Sequence, residues 1–185
     1  MDLVSHSYSF LAFLIIDDIS IRARPLDPQL ATKYIKNSIA YDSPEMAKIC
    51  STAKSAKIAV VLGFSENDNN SLYISQCTIS ATGDIVMRRR KMKPTHMERT
   101  VFGDASGSSL NNVVGIEGVG KVGALSCWEH IQPLLKYHTI SFREQIHVAA
   151  WPMLHPFQEG SEGIHSMTAE GRHDFTHDIS ITNVQ

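Results

Sequence analysis

The chain has 185 residues, 43 % of them hydrophobic and 19 % charged, and a formal net charge of −2. This composition excludes a disordered, collagen-like or coiled-coil protein, and the length suits one domain with a sizeable core. Near-neutral charge gives no electrostatic footprint for nucleic acid or an anionic membrane, so neither partner is expected. The apolar stretch at 10–16, FLAFLII, falls short of the roughly 20 residues a spanning helix needs. Residues 1–7 carry no Lys or Arg and no small-residue cleavage site follows, so a secretory signal is not expected either.

Asp27 followed by Pro28 predicts a helix, with the aspartate as N-cap and proline at the first helical position. Ser43-Pro44-Glu45 opens a second, in which Met46, Ile49, Cys50 and Ala53 fall on one face. The β-branched run at 58–64 reads as a buried strand, and 67–70 as a turn. A strand over 72–79, a hairpin turn at 81–84 and a return strand over 85–89 follow. A loop at 103–107 precedes a strand over 119–127, a helical stretch over 132–139 and a last buried strand over 146–151. The alternation predicts an α/β chain with a mixed sheet.

The three cysteines, Cys50, Cys77 and Cys127, make neither a disulfide framework nor a CxxC zinc site. They fit a reducing, cytoplasmic setting. Cys127 stands where a buried strand gives way to a helix, in GALSCWEHIQPLLK at 123–136. A helix N-terminus favours a thiolate, and such a turn would expose the sulfur at the sheet edge beside backbone N–H groups that can receive negative charge. The alternative is a small buried cysteine closing a strand. The second stretch is the cationic run from Arg88 to Arg99. By default it is a solvated strand end. Lys93, however, precedes Pro94, where the backbone stiffens and can hold an ammonium in place.

Together, GALSCWEHIQPLLK, RRKMKPTHMERTVFGD at 89–104, VVLGFSENDNNSLYISQ at 60–76 and EQIHVAAWP at 144–152 resemble the nitrilases of the carbon–nitrogen hydrolase superfamily. The nearest branch is similar to enzymes of aryl- and arylalkyl nitriles, with cyanide hydratases next. The resemblance implies a partial α-β-β-α sandwich and a Glu–Lys–Cys triad. It places the nucleophile on Cys127, the cation on Lys93, the supporting carboxylate on Glu98 and a local anchor on Glu129. It also implies a small nitrile as substrate, no metal or organic cofactor, and homo-oligomers.

The expected layout is a non-family segment at 1–23, an incomplete hydrolase domain at 24–157 and a poorly ordered tail at 158–185. Residues 1–23 do not resemble the Phe-Pro-Glu segment that carries the triad glutamate, and Asp17 and Asp18 read as turn residues. His173 and His177 read as tail residues, not as a ligand pair. The expectation is therefore a chain truncated at both ends with little or no nitrilase activity. A cyanide hydratase, an amidase, or an inactive fragment that binds nitrilase subunits are the rival readings.

Overall fold

The computed structural model describes residues 11–14 and 27–150. The expectations for Asp17 and Asp18, for Trp151, for His173 and His177, and for the tail lie outside the described residues. After a strand at Leu11–Leu14 come two helices, α1 (Pro28–Asn37) and α2 (Pro44–Ala56). Both begin as the sequence predicts. Asp27 accepts from the backbone N–H groups of Gln29 and Leu30, and Ser43 from that of Met46. Each cap satisfies donors that a helix start leaves open, and each proline takes a position that needs no N–H.

Four strands form one sheet in the order β1 (Leu11–Leu14), β2 (Val60–Asp68), β3 (Ser71–Ile79), β4 (Ile85–Arg90). β2, β3 and β4 are antiparallel neighbours, and β1 lies parallel to β2 with Leu11 opposite Val60. The sequence reading assigned no element to 11–14. Three further strands, β5 (Val113–Ile116), β6 (Gly120–Ser126) and β7 (Ile146–Ala150), form a second sheet with β6 in the middle. β5 was also not predicted, because its four residues are bounded by turns and offer too short a pattern. Helix α3 (Pro133–Ser141) runs between β6 and β7. It is tied to the start of β5 by Asn112, whose side-chain amide donates to Thr139 Oγ1 at 2.7 Å.

β2 shows why the layers stack. Successive strand residues face opposite sides. Val60, Leu62 and Phe64 pack on Met46 and Ala53 of α2, with Cys77 and Ile79 from β3. Val61, with Ala59 and Met87, packs on Ile116, Val122 and Ala124 of the second sheet. Each Val, Leu, Ile, Phe or Met among them contributes about 1.5–3 kcal/mol when fully buried. The result is helix on sheet on sheet, the partial α/β sandwich expected. The inter-sheet core ends beside the carboxyl end of β6, where the candidate site begins.

Candidate active site

β6 brings Cys127 to the end of the central strand of its sheet. Ser126 is still extended (φ −123°, ψ 120°), but Cys127 turns into the left-handed region at φ 51°. A non-glycine residue there costs about 1–2 kcal/mol, so the surroundings must impose the turn. A 3₁₀ turn, Cys127–Ile131, follows. This corrects the expectation in two respects. Five residues of 3₁₀ are too short to build a substantial helix dipole, and Cys127 is buried, at 6 % exposure, in place of standing open at a sheet edge.

Glu129 organises the turn. Its Oε2 accepts the Ser126 backbone N–H at 2.8 Å, and its Oε1 accepts the Met92 backbone N–H at 2.8 Å. Arg89 Nη2 donates to both carboxylate oxygens, at 2.7 and 2.8 Å. The other Arg89 terminus donates to Gln76 Oε1, and the Gln76 amide donates to the Leu125 carbonyl at 3.2 Å. Arg89 and Glu129 are both buried, so each charge needs the other. Glu129 thus holds the strand end before Cys127 against the chain that leaves β4.

That chain carries the cations. β4 alternates, with Met87 and Arg89 inward and Arg88 outward, and Lys91 keeps the inward phase. Lys91 Nζ reaches Glu98 Oε2 at 2.6 Å and Thr95 Oγ1 at 3.0 Å, with side-chain exposures of 1 % for Lys91 and 6 % for Glu98. Glu98 Oε2 also accepts the Thr95 backbone N–H at 2.6 Å. The structure places Lys93 otherwise. Its side chain is 65 % exposed and pairs with Asp104 on the surface. Beyond Lys91 the chain bends at 92–93, so Lys93, which shares the parity of Arg89 and Lys91, does not point inward. Alternation alone does not separate the two lysines, because Lys91 and Lys93 share one parity. The proline after Lys93 does not turn its ammonium inward.

A second buried set adjoins the turn. His130 Nδ1 lies 2.6 Å from the Cys127 carbonyl, and its Nε2 lies 3.0 Å from His147 Nε2. Burial pushes the His130 imidazole down to about 3, opposed by its hydrogen bond to the Cys127 carbonyl. The sequence reading assigned neither histidine, nor Glu144 beside His147. Elsewhere, burial pushes the Cys77 thiol up to about 12 and raises that of Cys50.

Beside the turn opens a cleft of about 640 Å³ whose walls include Met92, Lys93, Leu110, Trp128, Leu135 and His138. Among the described residues no group of three His, Cys, Asp or Glu could hold a metal, and no helix is long and apolar enough to cross a membrane.

The carbon–nitrogen hydrolase family matches residues 23–173. An arylacetonitrilase of Aspergillus niger is 64 % identical over 151 residues, which cover 82 % of this chain and 44 % of the relative. An arylacetonitrilase of Hypocrea virens is 60 % identical over 82 % of this chain and 45 % of its own length. The chain thus spans somewhat under half the length of these curated relatives. A carbon–nitrogen hydrolase from Helicobacter pylori G27 superposes with a TM-score of 0.64 at 14 % identity, over 92 % of this chain and 55 % of that one. A mutant amidase from Nesterenkonia sp. AN1, whose active-site cysteine has added acrylamide, superposes at 0.54 and 11 % identity, over 74 % and 54 %.

Proposed function

The chain belongs to the carbon–nitrogen hydrolase family, and from that premise we propose that it carries the nucleophile and cation of a nitrile hydrolase acting on arylacetonitriles. The observation that carries this reading is the shared carboxylate of Glu129, which bonds the residue before Cys127 and the residue after Lys91. It supports a thiol and a buried ammonium held at one place.

In this reading the Cys127 thiolate adds to the nitrile carbon and forms a thioimidate. Water adds, ammonia leaves and a thioester remains. A second water releases the carboxylic acid. The ammonium that stabilises the anionic tetrahedral species is assigned to Lys91 and not to Lys93. Glu98 is the supporting carboxylate that holds it, and Glu129 is the anchor. The family's proton acceptor belongs to a Phe-Pro-Glu segment that residues 24–150 do not contain. The apolar walls of the cleft, with Trp128 and Leu135, suit an aryl ring. A cytoplasmic setting fits cysteines that form no disulfide. Leu134 and Tyr137, 84 % and 73 % exposed on α3, suit the homo-oligomer the resemblance implies.

The test is covalent capture. The 185-residue protein is incubated with phenylacetonitrile or with acrylamide, quenched in acid and mapped by peptide mass spectrometry, beside Cys127→Ala. An adduct on Cys127 that the control lacks is the expected result, with little or no ammonia released, because residues 24–150 do not contain the proton acceptor's segment. Modification confined to Cys50, or none, would overturn the reading. Release of amide in place of acid would move the product assignment to a hydratase.

A further inference from the structure

Three hydrogen bonds run in series through the interior beside Cys127. The Glu144 carboxylate lies 2.9 and 3.0 Å from His147 Nδ1. His147 Nε2 lies 3.0 Å from His130 Nε2, and His130 Nδ1 lies 2.6 Å from the Cys127 carbonyl. Glu144 and His130 are buried, and the His147 side chain is 9 % exposed. The place is built for the carboxylate. His147 pairs with Gly123 across β6 and β7, and a Cβ on Gly123 would overlap Glu144 Oε2.

The series ends in an acceptor on both sides, a carboxylate and a carbonyl. Three bonds need three protons, and two neutral imidazoles supply two. Without the third, two lone pairs face each other at one of the links, a costly arrangement in a buried place. We propose that Glu144, His147 and His130 are positioning residues that share one proton beyond those of two neutral imidazoles, and so keep His130 Nδ1–H on the carbonyl of Cys127. The bond clamps the peptide that follows the nucleophile's left-handed turn, and with it the direction of the sulfur. Within the series the extra proton sits on His147, in contact with the Glu144 carboxylate. Burial, together with His147, Arg89 and Lys136 nearby, keeps His130 neutral. The proposal deepens the nucleophile reading of Cys127 and rests on it.

The proton count can be read directly, without catalysis. In the 185-residue protein with ¹⁵N-labelled histidine, long-range ¹H–¹⁵N spectra at neutral pH should show His130 protonated on Nδ1 alone and His147 on both nitrogens. A bare His130 Nδ1, or only two protons over the four nitrogens, would overturn the proposal. The second arm is Glu144→Gln, whose amide can donate to His147 Nδ1, so that two neutral imidazoles complete the series. In this variant the spectra should show His147 losing one of its two protons while His130 keeps Nδ1–H, and acrylamide addition to Cys127 should stay near the wild-type rate. A His147 still protonated on both nitrogens, or a rate lower by about tenfold or more, would sink the idea. If the variant fails to fold, the wild-type spectra decide. A Cys127 that does not react in the wild-type protein would refute the nucleophile reading, while the spectra would still report on the proton series.

Discussion

Met92 and Ser126 donate their backbone N–H groups to opposite oxygens of one buried carboxylate, each at 2.8 Å. One residue leaves the first sheet, and the other ends the central strand of the second. The carboxylate is Glu129, and Arg89 neutralises it from below with two bonds. The backbone next to Lys91 and the backbone next to Cys127 are therefore both bonded to one fixed charge. Such support is what a site needs when its reacting groups must be held to fractions of an ångström.

Glu129→Gln should test this support. The amide keeps the shape but leaves the Arg89 guanidinium buried without its counter-charge, and breaking one partner of a buried pair costs about 3–5 kcal/mol. Urea unfolding should show a loss of that order. A change below about 1 kcal/mol, the range of exposed pairs, would mean that the pair is not the anchor.

The two lysines separate by the same measurement. Lys91→Met removes the partner of buried Glu98 and should destabilise the protein by about 3–5 kcal/mol. Lys93→Ala removes an exposed pair with Asp104 and should change stability by no more than about 0.5 kcal/mol. Capture of nitrile on Cys127 should likewise fail in Lys91→Met and persist in Lys93→Ala. The reverse pattern would return the role to Lys93.

Much of this was legible in the residues. The Asp27-Pro28 and Ser43-Pro44 starts are local chemistry, and the helices follow them. The β-branched run at 58–64 announces the start of β2 and a Gly-containing turn the hairpin of β3 and β4, but β2 continues to Asp68 through residues that read as a turn at 67–70. The strand before Cys127 ends where the sequence places it. What was not legible depends on long-range placement. Lys91 and Lys93 are two apart in a cationic run, and only the bend after Lys91 decides which is buried. Glu144 and His147 look like ordinary loop and strand residues until β7 is laid beside β6, where Gly123 leaves room for the carboxylate. The exposure expected for Cys127 failed for a similar reason, because packing around the turn covers it.

The left-handed turn at Cys127 gives a stability prediction of unusual sign. Glycine takes φ 51° without penalty, whereas alanine keeps the strain of an L side chain. Both replacements remove the thiol. Cys127→Gly should therefore be more stable than Cys127→Ala by about 1 kcal/mol, against the usual order in which glycine is the weaker residue. Urea midpoints of the two variants at equal m-value measure the difference. A Cys127→Ala protein as stable as Cys127→Gly, or more so, would mean that the turn is not strained.

The last prediction concerns acid. His130 is buried and held neutral in the folded protein, with its imidazole pushed from 6.5 down to about 3. In the unfolded chain it protonates near its ordinary value. Between these two limits the unfolded state binds one proton more than the folded state. Stability therefore rises with pH across that window and is lost as pH falls from about 6.5 toward 3, with a slope of up to about 1.4 kcal/mol per pH unit from this group. Above pH 7 the group contributes no slope. Other carboxylates and histidines also titrate in acid, so the comparison is with His130→Asn, which retains a side-chain donor near the Cys127 carbonyl but cannot titrate. On moving from pH 7 to pH 5, the wild-type protein should lose about 2 kcal/mol more than the variant in urea unfolding. Equal losses would show that His130 takes up its proton in the folded state, and that its interior is less closed to charge than the hydrogen-bonded series beside Cys127 requires.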